Sequence, residues 1–185
     1  MNNIFNVVNT RGHQTMAGLT DSSEIPDWTR EYKNFFSWCP SRSLLASIRS
    51  YQKNHVNNDL ISKISCKFAS YRWHFWSVIT GSEIDKDATI GGGLLLPHPT
   101  GVVIHKDAVI GVNCMIMQQV TVGQTGKDGV PRIGGKVYLG AGAKILGPVT
   151  LGNNVNIGAN AVVLCDVPDG CTAVGVPASI VRKSQ

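Results

Sequence analysis

The chain has 185 residues, 43% of them hydrophobic, and a formal net charge of +5, which is enough apolar material for one buried core with a modest extension. No apolar run approaches the roughly 18 residues that a spanning helix needs, and no basic segment followed by an apolar stretch opens the chain, so a cytoplasmic protein is expected. Five cysteines, odd in number and scattered, argue against a disulfide framework and against paired Cys-x-x-Cys zinc ligands.

In chain order, residues 1–26 read as loosely ordered. Residues 41–54 predict a helix with Leu44, Leu45, Ile48 and Tyr51 on one side. Ile61, Ile64, Phe68, Tyr71, Phe75 and Val78 then alternate steps of three and four, one face of a second helix against which the first is expected to pack. Asn58 is its candidate cap, and Thr80-Gly81 its end. Tyr71, Trp73, Phe75 and Trp76 read as packing groups. From Lys33 to Arg72 seven Lys or Arg face one acid, Asp59, a local charge of +6 that reads as a solvated helix face, with contact to an anionic membrane surface as the alternative. Residues 1–80 thus form a helical arm and residues 81–185 a second unit.

That unit is a repeat. Aliphatic residues recur six apart at Ile84, Ile90, Leu96, then Ile104, Ile110, Ile116, Val122, then Ile133, Leu139, Ile145, Leu151, Ile157 and Val163. Seven of the thirteen precede glycine, and a small or β-branched residue usually stands four positions on. Six is neither a helical nor a hairpin period. A triangular prism accounts for it, each hexad giving one short strand and a turn, so that eighteen residues close a coil and coils stack in parallel. The hexad aliphatics point inward; glycine and Asn113, Asn153, Asn154 and Asn160 suit corners that need left-handed angles. The fold class is therefore mainly β, a parallel β-helix with an N-terminal helical arm.

Departures from the phase must bulge outward, where sites are built. Leu96 to Ile104 spans eight residues and places His98 at a widened corner; Val122 to Ile133 spans eleven, so residues 124–132 leave the prism as an arm. A further step of eleven, Val163 to Val174, marks the end of the regular stack.

Leu-Pro-His98-Pro-Thr-Gly, Val-Thr-Val-Gly123-Gln-Thr-Gly-Lys, the run from Ile133 to Gly147 and Gly175-Val-Pro-Ala178 together resemble the serine acetyltransferase branch of hexapeptide transferases, and the short arm resembles that of exopolysaccharide acetyltransferases such as the colanic acid enzyme. The resemblance implies a left-handed coil, a hand opposite to the usual crossover rule, and a homotrimer. It implies acetyl-CoA as donor, no metal, and His98 as the base that takes the acceptor hydroxyl proton, a role suited to an imidazole with a pKa near 6.5. Glu83 matches the carboxylate that orients this base. Backbone N–H groups around Gly123 and Gln124 match the oxyanion donors, Thr125 stands beside them as a further cofactor contact, Ala141 and Ala159 match the pantetheine contacts, and Arg132, Arg182 and Lys183 are candidates for the nucleotide phosphates.

Two departures bear on the acceptor. Serine enzymes carry an acid before the histidine, where this chain has Pro97, and Arg-His before the loop proline, where it has Gly129-Val130 ahead of Pro131 in a loop about three residues shorter. Each lost charge-assisted contact is worth about 1.5 to 3 kcal/mol, so the expectation is a sugar hydroxyl in a polysaccharide precursor, with serine as the alternative acceptor. Gln185 stands in place of the terminal isoleucine that docks on cysteine synthase, so that partner is not expected, nor is nucleic acid. A zinc hydratase on the same prism needs three converging histidines, where the repeats supply His98 and His105; a non-catalytic scaffold leaves His98 at the widened corner without a reason.

Overall fold

The structure, a computed structural model, describes residues 22–34, 37–57, 59–126 and 129–181. Twelve of the thirteen hexads make a strand of two or three residues whose second residue is the inward aliphatic, Leu96 following an isolated bridge at Leu95, and strands one coil apart pair in parallel. Three faces result. The first stacks Glu83–Ile84, Val103–Ile104, Thr121–Gly123, Lys144–Leu146 and Val162–Val163. The second stacks Thr89–Ile90, Val109–Ile110, Arg132–Ile133 and Thr150–Leu151. The third stacks Met115–Ile116, Tyr138–Leu139, Asn156–Ile157 and Thr172–Val174, closed by the antiparallel strand Ser179–Val181.

All thirteen hexad aliphatics are inside, the most exposed being Ile90 at 7%. The residues four positions on, Ala88, Ala108, Cys114, Val137, Ala143, Val155 and Ala161, fill the same core. Each aliphatic buried in this way contributes on the order of 1.5 to 3 kcal/mol, so the column penalises any slip of register. After the last regular coil the inward residue is Ala173, while Val174, the residue that the eleven-residue step picks out, turns out to solvent.

Two corner assignments need correcting. Gly91, Gly111, Gly134 and Gly152 stack on one another, and a Cβ on Gly111 would lie 2.5 Å from Gly134 backbone; these glycines are required by close approach of successive coils, not by left-handed angles. Left-handed corners fall on Asn113, Gln119, Lys136, Asn154 and Asn160, and on other glycines such as Gly93 and Gly142, as the reading of the corners expects. Asn153 instead accepts the Gly135 N–H at 2.7 Å through its side chain.

Two helices precede the prism. The helix α1, Pro40–His55, buries Leu44, Leu45, Ile48 and Tyr51 as its periodicity predicts. The helix α2, Leu60–Thr80, ends at Gly81, whose left-handed φ of 62° closes the last turn. Asn58 lies outside the described residues; Asp59 caps α2 by accepting the Ser62 N–H at 3.0 Å. The burial of α2 reverses the expectation. Ser62, Ala69 and Thr80 face inward with Trp73 and Trp76 partly buried beside the core, whereas the periodic stripe from Ile61 to Val78 faces solvent. The helix is apolar on two sides, and its small residues allow the close approach to α1 that the large ones do not. The aromatic cluster is split accordingly. The Trp73 indole donates to the Ile84 carbonyl at 2.8 Å and Trp76 meets Trp38 edge to face at 5.5 Å, while Tyr71 and Phe75 are exposed.

Residues 1–21 lie outside the described residues, but residues 22–26 are tied down, contrary to their reading as loose chain. The buried Asn113 side chain accepts the Asp27 N–H at 2.7 Å and donates to the carbonyls of Ser22 and Ile25 at 2.8 and 2.7 Å. Part of the basic arm is also structural. Arg49 pairs with Glu31 at 2.9 Å and donates to the carbonyls of Ile90 and Gly91, joining α1 to the first coil.

Two measurements check this core. Ile145→Ala empties a fully buried position and should cost about 2 to 5 kcal/mol in urea unfolding, with no change in the parallel-strand signature by infrared. Burial pushes the Cys114 thiol up to about 11 from 9.0. The unfolded chain therefore releases this proton at lower pH than the folded one, and stability is lost as pH rises from about 9 to 11. Over that interval the wild type should lose about 2 to 3 kcal/mol more than Cys114→Ala does.

Candidate active site

The widened corner carrying His98 joins the third face to the first. Leu95 still bridges to Met115, after which Pro97-His98-Pro99 swings outward before the Val102 N–H returns to the Pro99 carbonyl at 3.1 Å. Below it the corner is regular. Gln119 N–H donates to Thr100, Gly142 N–H to Gln118 and Asn160 N–H to Ala141, each at 2.8 to 2.9 Å, so His98 tops an edge on which Ala141 and Ala159 lie one coil apart. Both alanines are at least partly exposed, and between them and His98 the edge carries no aromatic or branched side chain outside the core. Lys144 fixes this edge laterally by donating to the Gln119 carbonyl at 2.6 Å. The His98 ring is exposed and takes no hydrogen bond from the described residues.

Glu83 lies on the first face in register with Val103, five residues past His98, and its carboxylate is exposed without a bond to the imidazole. It opens instead onto a recess of about 300 Å³, lined also by Trp73, Asp85, Val103, His105, Lys106 and Gly123. His105 Nδ1 accepts the Asp107 N–H at 3.2 Å, which leaves Nε2 as the ring's donor. Sequence reasoning passed over this recess. Its signal lies in the phase: Asp85, His105 and Gly123 each follow an inward aliphatic, Ile84, Ile104 and Val122, so all three point outward in one column.

Gly123, Gln124 and Thr125 occupy the far edge of the first face, where the arm begins. Gly147 N–H donates to the Gly123 carbonyl at 3.0 Å, Gln124 donates to Gly126 at 2.5 Å, and the Thr125 hydroxyl stands over Gly147, 2.8 Å from where a Cβ would be. Within one chain, then, His98 and the Gly123 corner stand on opposite edges of one face. Arg132 is exposed at the start of the second-face strand that follows the arm; Arg182 and Lys183 lie outside the described residues. No three His, Cys, Asp or Glu side chains converge as a metal site among the described residues.

The family model Bacterial transferase hexapeptide (six repeats) matches residues 131–165. A serine acetyltransferase structure in complex with CoA superposes with a TM-score of 0.63 at 38% identity, covering 78% of this chain and 58% of that one. The β-helix is similar in fold and in sequence to those of serine acetyltransferases. A soybean serine acetyltransferase complexed with serine gives a TM-score of 0.63 at 36% identity over 77% of this chain and 56% of that one. The serine acetyltransferase of Synechococcus elongatus is 45% identical over 114 residues, 60% of this chain and 47% of its own length. The chain spans about half the length of that relative. These matches overturn the expectation of a sugar or polysaccharide-precursor acceptor, together with the exopolysaccharide branch suggested by the short arm, since the proteins it resembles are serine acetyltransferases. That expectation rests on contacts missing at Pro97 and in the loop, and missing contacts do not identify a replacement acceptor.

Proposed function

We propose that this chain transfers the acetyl group of acetyl-CoA to the hydroxyl of serine, as part of a homotrimer. One observation carries the reading: the exposed imidazole of His98 tops the same prism edge that presents Ala141 and Ala159, a smooth strip along which a linear pantetheine arm fits. The family names of the relatives supply the acceptor.

In this reading His98 takes the serine hydroxyl proton as the oxygen attacks the thioester carbonyl, and the tetrahedral intermediate collapses with departure of the CoA sulfur, which receives the proton from the imidazolium. No covalent acyl-enzyme is needed. Backbone N–H groups near Gly123, Gln124 and Thr125 stabilise the oxyanion. Because those groups and His98 stand on opposite edges of a face, a complete site takes one edge from each of two neighbouring chains, which is the reason for the trimer. Glu83 turns toward the imidazole when the neighbouring chain closes the site, and holds the ring. Arg132, Arg182 and Lys183 serve the nucleotide phosphates.

With Pro97 and Gly129-Val130 at the positions of the usual charge partners, the zwitterion needs others. The recess beside Glu83 has both signs, Asp85 for the ammonium and His105 with Lys106 for the carboxylate.

A thiol-release assay with purified protein, acetyl-CoA and serine tests the proposal. Wild type should turn over serine at millimolar concentration, and His98→Ala should lose about 10²- to 10⁴-fold in kcat with an unchanged Tm. Absence of release with serine, or full activity in His98→Ala, contradicts it. Lys106→Ala should raise KM for serine several-fold while leaving kcat within a factor of two or so, as expected for a contact made equally in ground and transition states.

A further inference from the structure

We infer that the outer face of α2 is a docking surface for an anionic lipid bilayer. The helix is 21 residues long, about 30 Å, and turns eight large apolar side chains to solvent: Leu60, Ile61, Ile64, Phe68, Tyr71, Phe75, Val78 and Ile79. Ile61 is 77% exposed, Tyr71 72% and Val78 70%, a continuous stripe beyond the scattered apolar residues of an ordinary surface. Its inner face is already used against α1 and the prism, which leaves the stripe turned to solvent.

The margins of the stripe identify the occupant. At 3.6 residues per turn Lys63, Lys67 and His74 run down one side and Arg72, stacked on Phe68 at 6.0 Å, stands on the other. No acid occurs between Leu60 and Thr80, and Asp59 is engaged in capping the helix. At the α1–α2 turn a recess of about 480 Å³ combines Leu60 and Ile64 with His55, Lys63 and Lys67, apolar floor and cationic rim together. Two copies of α2 set face to face would oppose these cations to themselves with nothing between, which disfavours self-pairing. Apolar and aromatic side chains flanked by lysine and arginine match the acyl boundary and headgroups of an anionic leaflet. No helix of the described residues is long and apolar enough to cross a membrane, so α2 lies along the surface.

Co-sedimentation of the full chain with vesicles tests this. Partitioning onto phosphatidylcholine containing about a third phosphatidylserine should exceed that onto phosphatidylcholine alone by about a hundredfold, three basic side chains contributing, and should fall as salt rises. Ile64→Glu with Phe68→Glu should lose at least tenfold of this binding, with Tm held because both side chains are exposed; Lys63→Gln with Lys67→Gln should lower the lipid preference about thirtyfold and keep the fold. Equal partitioning onto both vesicles, or unchanged binding by the glutamate variant, overturns the inference. So does a change in oligomeric mass of that variant without vesicles and with lipid binding intact, which would assign the stripe to a second copy.

Discussion

The structure depends on the stacking of one coil on the next at a fixed phase of six. Inward aliphatics such as Ile104, Val122 and Ile145 form a column without a polar break, and parallel ladders hold each strand over the one a coil earlier. Where the chain turns, backbone meets backbone too closely for a side chain, hence glycine at 111, 134 and 152. A frame of this kind cannot absorb an extra residue internally. Any insertion is thrown outward at a corner, and those at residues 97–101 and 124–131 carry the candidate chemistry.

This geometry explains both the strength and the incompleteness of the site within one chain. The column puts His98 directly above Gln118, Ala141 and Ala159 along one edge, while the same rigidity keeps Gly123 and its arm on the other edge of that face. Closing the distance by bending the prism would break the ladders, so the proposed transfer calls for a second chain to bring the His98 imidazole and the Gly123 corner together. The recess with Glu83, Asp85, His105 and Lys106 opens on that face and is lined by Gly123, not by the His98 corner.

Much of this was legible because a buried period leaves little freedom. Hexad spacing alone identifies the inward residues and the two outward departures, and helix periodicity finds α1 and α2. What it could not supply was the side of α2 that is buried: Ser62, Ala69, Trp73 and Trp76 make a second, smaller-stepped face, and choosing between the two requires knowing how closely α1 approaches. The ties from Asn113 and Arg49 were equally hidden, since they join residues far apart in sequence through backbone carbonyls, which have no residue identity. The acceptor was misread for a different reason. Pro97 and the short loop remove charges at positions where the serine enzymes have them, but charge on the neighbouring face, in Asp85 and Lys106, becomes visible only once the hexads are wound into coils.

The arm and the prism thus present different surfaces, one apolar and basic along α2, the other a smooth corner edge crowned by an imidazole. The account stands or falls on the second. A crystal structure with CoA bound tests it most directly: the pantetheine should run along the edge of Ala159 and Ala141 with its sulfur close to His98, leaving an acceptor oxygen within about 3 Å of the ring nitrogen. CoA bound on another edge, with His98 still open to bulk water, would contradict it.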